Sequence, residues 1–310
     1  MKRISLLFAL LLASASAFGG GQAPPPVPTG EVPPPVPTGE APVLHWQPVV
    51  PGVEYMHVLG GAMDIHVVRI DLTCDNIRVI STRESDRGTR VSDFAIRTHA
   101  LVAINGDYFD KAMKPIGLTI GPCGQWLETT DTSREGVVAF GTSHGEIRTQ
   151  SEVMDPPEPW IMSAVSGWPM LVRECRALTS AELPGSDAFT RSPHARTAVG
   201  VSKEGTIAYF VVADGRRADA PGLTLGQLSA WMFDHLGVCS AINLDGGGSS
   251  AMWVKDKIVN RPSDGVERRV GDHLAVVPSD QKIGCDMTKE QLAGSTASSG
   301  IGIAQSANRQ

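Results

Sequence analysis

The sequence predicts an α+β fold: a single domain made mainly of antiparallel sheet, with a few packed helices. Short apolar segments outnumber helical patterns along the chain, and several of them alternate with polar residues. Turn sequences, such as Gly-Pro-Cys-Gly at 121–124 and Lys-Glu-Gly at 203–205, separate pairs of these segments. Tight turns of this kind join antiparallel strands.

The first elements are recognised by the period of their apolar residues. Residues 64–72 alternate, and one face of this strand is formed by His66, Val68, Ile70 and Leu72. A second strand continues at 77–79. Val91–Thr98 is predicted to be a short helix that precedes a buried strand at 101–104.

Two hairpins and a well-delimited helix follow. Each hairpin joins two apolar segments: 117–120 with 125–127, and 197–202 with 206–213. The helix Leu225–Leu236 begins with a capping box formed by Thr224 and Gln227, and Gly237 suits the position after its last turn. The last strands are expected at 241–244, 251–254 and 273–277.

The two ends of the chain are predicted to lie outside the domain. Residues 1–17 have the cationic, apolar and small-residue regions of a signal peptide. Residues 18–43 form a Pro/Gly-rich linker with a repeated PPPVPTGE, and 284–310 form a disordered tail. The domain itself is expected at 44–283. We therefore expect an exported protein, periplasmic or extracellular, without membrane insertion after signal cleavage.

Charge and cysteine content exclude several classes of protein. Without the signal peptide, 25 Lys and Arg oppose 33 Asp and Glu, a net charge of −8 that argues against nucleic-acid binding. The five cysteines are expected to form disulfides in an exported chain, and two bridges can be drawn in fifteen ways. No CxxC pair supports zinc or thioredoxin chemistry, so we predict no metal ligands and no cofactor.

Polar residues at the ends of apolar strands are the candidates for chemistry. The glycine loop comprises Asp245, Gly246, Gly247, Gly248 and Ser249, and its backbone N–H groups are able to form an anion-binding concavity. A tight hairpin without a ligand is the alternative. Asn243 and Asp245 are two residues apart and point to the same side of the strand.

Other strand ends offer similar groups. Asp214 and Arg216 follow one apolar strand, and Asn105 and Asp107 follow another. Two further cations join them at the start of a strand and in a turn: Arg196 and Arg261. Each segment alone is also an ordinary polar turn, but their convergence would build a site.

Six motifs occur in an order that resembles the phosphodiester glycosidase family. They are NGDYF, HARTAVGVS, VVADGR, GLTLGQL, INLDGGGSSAMWV and NRPSDGVERRVGDHLAVV, between about residues 63 and 278. The resemblance implies hydrolysis of a sugar-1-phosphodiester, similar to a GlcNAc-1-phosphodiester, in an envelope or extracellular glycan. One departure is that Asp107 and Tyr108 stand where the family often has Gly and Phe.

The implied chemistry assigns a role to each candidate. Asp245 and Asp214 are expected to act on the sugar as nucleophile, base or electrostatic partner. The phosphate and the rest of the substrate are expected to contact Asn105, Asp107, Arg196, Arg216, Asn243, Gly246, Gly247, Gly248, Ser249 and Arg261. Two alternatives remain: a phosphodiesterase with Asp107, Asp214 and Asp245 around Mg²⁺ or Ca²⁺, and a non-catalytic glycan-binding module.

Overall fold

Antiparallel strand pairing organises this chain. The computed structural model describes residues 45–126, 136–149, 152 and 158–284. Within these residues, every strand pairs only with antiparallel neighbours, and the α-helices number three. The predicted α+β fold with mainly antiparallel sheet is therefore confirmed.

The described residues form eighteen strands. In chain order they are β1 (Gln47–Val50), β2 (Val53–Gly60), β3 (Met63–Asp71), β4 (Ile77–Ser81), β5 (Val102–Asn105), β6 (Ile120–Gly121), β7 (Gly124–Gln125), β8 (Gly136–Phe140), β9 (Gly145–Thr149), β10 (Ser163–Gly167), β11 (Met170–Arg173), β12 (Arg176–Ala177), β13 (Arg196–Val201), β14 (Ile207–Ala213), β15 (Ser240–Asn243), β16 (Met252–Val254), β17 (Lys257–Ile258) and β18 (His273–Pro278). The helices are α1 (Val91–Thr98), α2 (Asp187–Thr190) and α3 (Leu225–Leu236).

These strands form three sheets. The large sheet has eight strands in the order β1-β2-β3-β14-β13-β15-β11-β12. Two five-stranded sheets have the orders β7-β6-β10-β8-β9 and β17-β16-β5-β18-β4. The chain passes from the large sheet to the second of these between β15 and β16, so the glycine loop connects two sheets.

The large sheet is buried on both faces. On one face, Ile65 and Val67 of β3 pack with Met232 of α3. On the other, Val68 packs in a core that includes Phe140 and other side chains of the smaller sheets. The predicted alternation of β3 identified only one of these faces, because α3 covers the side that water would otherwise reach.

The predicted helices have the bounds that the structure shows. At the start of α3, the N–H of Gln227 donates to Oγ1 of Thr224 (3.1 Å), and the N–H of Thr224 donates to Oε1 of Gln227 (2.9 Å). Gly237 follows the helix with φ of 64°, the left-handed region that glycine adopts readily. The hairpins β6–β7 and β13–β14 are also confirmed.

A disulfide joins Cys175 to Cys239 beside the paired strands β11 and β15, whereas Cys74 is a free thiol. Among the described residues, none of the helices has the length and apolar character needed to cross a membrane. The predicted signal peptide and linker lie outside the described residues, and so does the predicted tail apart from Gly284.

Candidate active site

The glycine loop lies where β5 and β15 end side by side. The backbone N–H of Asp245 donates to the carbonyl oxygen of Gly106 (3.1 Å), and Nδ2 of Asn105 donates to the carbonyl oxygen of Asp245 (2.7 Å). These bonds connect the end of a strand in the large sheet with the end of a strand in a smaller one. Two of the predicted polar strand ends are thereby brought together.

Asn105 supports the loop from beneath. Its side chain is fully buried, and its Oδ1 accepts hydrogen bonds from Oγ1 of Thr197 (2.8 Å) and from the N–H of Ala251 (3.3 Å). Together with the bond to Asp245, the amide connects three separate segments. Asn105 therefore positions the loop, whereas the sequence suggested that it would contact the substrate.

Asn243 offers an unused acceptor beside the loop. Its Nδ2 donates to Oη of Tyr108 (2.6 Å) and to the carbonyl oxygens of Trp168 (2.8 Å) and Leu244 (2.9 Å). Its Oδ1 is buried and has no hydrogen-bond partner within the described residues. A buried carbonyl oxygen without a donor is costly, so this atom is a ready acceptor for a ligand hydroxyl or amide.

The loop presents fewer free backbone donors than its sequence suggested. The N–H of Gly246 donates to Oδ1 of Asp245 (2.9 Å), that of Gly247 to the carbonyl of Ala195 (2.8 Å), and that of Ser249 to the carbonyl of Gly246 (3.2 Å). Of these four amides, Gly248 alone has no hydrogen bond to the described residues. The predicted concavity of several amides is wrong, because the tight turn uses most of the N–H groups itself.

The Asp245 carboxylate lies between hydrogen-bond donors and cations. The pKa of Asp245 lies above its usual value because burial outweighs the hydrogen bonds from Ser249 and Gly246, which lower it. Nearby Arg268 and Arg216 also lower it. These opposing effects describe a carboxylate that is partly removed from water and faces positive charge.

The glycines of the loop allow three charged side chains to approach its backbone. A Cβ on Gly247 would lie 2.7 Å from Nη2 of Arg216, and φ at Gly247 is 61°. A Cβ on Gly248 would lie 2.1 Å from Oδ2 of Asp264 and 2.2 Å from Nη2 of Arg268. Side chains at these positions would displace the cations from the loop.

Arg216 is a cation without a partner at this loop. Its side chain is exposed and makes no hydrogen bond or ion pair with the residues that the structure describes. Arg268, in contrast, pairs with Asp264 (2.6 Å) and donates to Oγ of Ser249 (3.4 Å). An unpaired guanidinium next to a glycine loop is suited to bind an anion.

Arg196 is buried and already engaged. Its guanidinium donates to the carbonyl oxygens of Leu223 (3.0 Å), Phe189 (2.6 Å) and Ser192 (3.2 Å). Its pKa is lowered to about 10, chiefly by burial and to a smaller extent by the nearby charge of Arg216. Arg196 thus organises the segment between β12 and α3, with most of its donors directed away from any ligand.

The side chains of Asp214 and Arg261 make no direct hydrogen bond with the glycine loop among the described residues. The buried carboxylate of Asp214 accepts hydrogen bonds from Nδ2 of Asn260 (2.9 Å), the N–H of Arg261 (2.9 Å) and Nη1 of Arg217 (2.6 Å). The side chain of Arg261 is exposed. Asn260, which donates to Asp214, also donates to the carbonyl oxygen of Ser250 (3.2 Å) and so connects Asp214 with the residue that follows the glycine loop.

The described cavities lie away from this region. They measure about 380, 300 and 80 Å³, and none of the three is lined by a residue predicted for the site.

The sequence was compared with models of known protein families. The model of the phosphodiester glycosidase family matches residues 98–277, more than half of the chain. The chain belongs to this family. The matched residues include both strand ends that meet at the glycine loop.

Two known proteins are similar in sequence to much of the chain. The mouse N-acetylglucosamine-1-phosphodiester alpha-N-acetylglucosaminidase is 27% identical over 229 residues, which cover 67% of this chain and 43% of the mouse protein. The SPbeta prophage-derived protein YomE of Bacillus subtilis is 32% identical over 228 residues, 71% of this chain and 33% of YomE. The chain thus spans less than half the length of these relatives.

A solved structure shows the same fold. The zebrafish N-acetylglucosamine-1-phosphodiester alpha-N-acetylglucosaminidase catalytic domain, auto-inhibited by its pro-peptide, matches with a TM-score of 0.57 and 20% identity. The match covers 76% of this chain and 84% of the zebrafish chain. At this identity the similarity concerns the fold alone.

One buried carboxyl group of this phosphodiester glycosidase family member, that of Asp272, was not predicted from the sequence. Oδ1 of Asp272 accepts a hydrogen bond from the N–H of Asp107 (2.7 Å), and Oδ2 accepts one from Oγ1 of Thr119 (3.1 Å). The pKa of Asp272 is raised to about 7, chiefly by burial and also by nearby Asp245, against the opposing effect of the hydrogen bonds from Asp107 and Thr119. Its position just before β18, within the last family motif, was the available signal.

Asp107 lies beside Asp272 and is itself fully buried. Its Oδ1 accepts a hydrogen bond from the N–H of Tyr108 (2.7 Å). Gly106 permits this arrangement, because a Cβ there would lie 2.3 Å from Oδ1 of Asp272. Asp107 of the NGDYF motif and Asp272 of the last motif are therefore buried side by side.

We predict that Asp272→Asn removes a pH dependence of stability. The folded-state pKa of about 7 exceeds the unfolded value of about 4, so the folded protein binds more protons between these pH values. For this group the free energy of unfolding is highest below pH 4 and falls by on the order of 4 kcal/mol as the pH rises to 7. Urea unfolding across this range should show a smaller decline for the variant. Equal declines in the two proteins would contradict the assignment.

Proposed function

We propose that this protein is an exported hydrolase that cleaves a sugar-1-phosphodiester between the sugar carbon C1 and the phosphate oxygen. The observation that carries the proposal is the unpaired guanidinium of Arg216 beside the Asp245 carboxylate. This pair offers a cation for the phosphate and an anion for the electron-poor sugar carbon. Membership of the phosphodiester glycosidase family supports the same reaction.

We expect the phosphate to bind to hydrogen-bond donors in and beside the glycine loop. A phosphate monoester is a stable anion, so its departure depends less on a general acid than on donors that hold its charge. Arg216 and the free N–H of Gly248 are the donors we assign, with Arg268 adding positive charge through its neighbouring guanidinium. Arg196 acts indirectly, by shaping the segment that carries these groups.

We assign Asp245 to the reaction at the sugar carbon C1. A carboxylate close to C1 serves as nucleophile, as base for water, or as partner to the oxocarbenium-like transition state. Oδ1 of Asn243 is free to accept a hydrogen bond from a sugar hydroxyl or acetamido N–H. Asp272, with a pKa near 7, is able to hold or release a proton beneath these groups at neutral pH.

The names of two relatives support a substrate class. We infer a sugar-1-phosphodiester similar to a GlcNAc-1-phosphodiester, located in an envelope or extracellular glycan. The mouse and zebrafish proteins are named for this type of bond. The signal-like residues 1–17 and the Cys175–Cys239 disulfide support a periplasmic or extracellular location, since disulfides persist in oxidising compartments.

Hydrolysis in oxygen-18 water tests which bond breaks. Attack at carbon leaves the phosphate monoester free of label, and mass spectrometry of that product should show this. Label in the phosphate would favour attack at phosphorus and the metal-dependent phosphodiesterase. Saturable binding of the diester without turnover would instead identify a glycan-binding module.

We predict that Asp245→Asn lowers kcat by at least ~100-fold, the scale of lost acid–base or covalent assistance. The matched variant is Asp214→Asn, whose carboxylate is engaged by Arg217, Asn260 and the N–H of Arg261. It should mainly lower the free energy of unfolding, by about 2 kcal/mol for a lost charged hydrogen bond. Initial rates and urea unfolding measure the two effects. Near-normal turnover of Asp245→Asn with a large loss in Asp214→Asn would transfer the catalytic role to Asp214.

Removing the Arg216 guanidinium should weaken the transition state. We predict that Arg216→Ala lowers kcat/KM by about 100-fold, as expected when one donor to a developing anion is lost. Arg261→Ala removes the same charge from an exposed side chain whose 3.5 Å partner is Asp219, and it should change kcat/KM by less than about 3-fold. Similar losses in both variants would mean that net charge, and not the position of Arg216, governs the reaction.

A further inference from the structure

The hairpin β2–β3 brings two histidines and an aspartate onto one face. His57 on β2 lies directly opposite His66 on β3 in the antiparallel register. Asp64 precedes His66 by two residues, so its side chain points to the same face of the strand. No family motif and no step of the proposed reaction uses these three residues.

Their ligand atoms converge on one point. Nε2 of His57 lies 2.7 Å from Oδ1 of Asp64, and Nε2 of His66 lies 3.3 Å from the same oxygen. All three atoms lie within 4.8 Å of one another, and the imidazole rings stack with their centroids 4.3 Å apart. Two ring nitrogens and a carboxylate oxygen are thus close enough together to serve as ligands of one ion, after a rotation of the stacked rings, whose planes now lie 7° apart, to point both nitrogens at it.

The remaining polar atoms of Asp64 and His66 are held by other residues. Nδ1 of His66 lies 2.7 Å from Oη of Tyr55, and Oδ2 of Asp64 accepts a hydrogen bond from Nη2 of Arg217 (3.1 Å). These contacts orient the imidazole of His66 and the carboxylate of Asp64. They leave Nε2 of His66 and Oδ1 of Asp64 available as ligands. Metal-binding histidines and carboxylates are characteristically supported in this way.

The separations fit the coordination of a small divalent ion. Nitrogen and oxygen ligands lie about 2.0–2.2 Å from zinc, which places tetrahedral ligands about 3.4 Å apart. The His66–Asp64 separation of 3.3 Å already matches this value. His57 has a side chain that is 38% exposed, so it is able to move outward from its present 2.7 Å.

We propose that Nε2 of His57, Oδ1 of Asp64 and Nε2 of His66 bind one divalent transition-metal ion of the zinc class. Two imidazoles favour such ions over Mg²⁺ and Ca²⁺, which prefer oxygen ligands. The exposure of His57 provides an entry path and leaves a fourth position for water. This inference is independent of the proposed hydrolysis, and its alternative is a hydrogen-bonded His–Asp–His cluster that binds no metal.

The binding of Zn²⁺ tests the proposal. The purified full chain, stripped with a chelator, is titrated with Zn²⁺ against a chromophoric chelator, and we expect one ion to compete for each chain. His57→Gln and His66→Gln should each weaken binding by ~100-fold or more. Tyr55→Phe removes only the support of His66 and should weaken binding by about 10-fold.

Two variants serve as matched controls. His144→Gln removes another part-exposed histidine that pairs with a carboxylate, Glu146 at 3.2 Å, and Cys74→Ser removes the free thiol. Both should retain the wild-type affinity. Because His57 is the exposed ligand, circular dichroism of His57→Gln should match the wild type and separate lost binding from lost folding.

The bound ion should also be visible by its spectrum. Co²⁺ in place of Zn²⁺ should produce visible absorption in the wild type and in both controls, but not in His57→Gln. Equal Zn²⁺ affinity in the wild type and His57→Gln would overturn the proposal, and so would the lack of saturable binding by the wild type. Loss of binding in Cys74→Ser with retention in His57→Gln would assign the ion to the thiol and equally reject the site.

Discussion

Two hydrogen bonds between the ends of β5 and β15 hold the candidate site together. The N–H of Asp245 donates to the carbonyl of Gly106, and Asn105 donates to the carbonyl of Asp245. One strand belongs to the large sheet and the other to a five-stranded sheet, so these bonds set the position of the glycine loop relative to both. Every group that we assign to the reaction depends on that position.

The site combines buried carboxyl groups with cations at the surface. Asp107 and Asp272 lie beneath the loop, and Arg216 and Arg268 approach it from outside through the space that Gly247 and Gly248 leave open. Burial favours the protonated form of a carboxyl group, and nearby guanidinium groups favour the ionised form. The loop therefore lies between two groups of side chains. The carboxyl groups of Asp107 and Asp272 are able to hold protons, and the guanidinium groups of Arg216 and Arg268 are able to bind an anionic leaving group.

Helices and hairpins were predictable from the sequence where residues close together in the chain specify them. The capping box of Thr224 and the position of Gly237 delimit α3 because both act within one helical turn. Strands such as β1 and β8–β12 were not predicted, because strands of two to five residues carry little periodic signal of their own and depend on packing against their neighbours. The His57–Asp64–His66 cluster was missed for the same reason: its geometry depends on which residues oppose one another across a hairpin.

The sequence by itself determined the antiparallel α+β character, the family, and the polar groups at the strand ends, since these follow from residue type, period and motif order. Only the tertiary structure decided which of those groups lie close together. It joined Asn243, Asp245 and Arg216 at one loop and turned Asp214 toward Arg217 and Asn260. It also brought the overlooked Asp272 under the loop. Side-chain direction at a strand end depends on the hydrogen bonds that neighbouring strands offer, and these are set by how the sheets pack together.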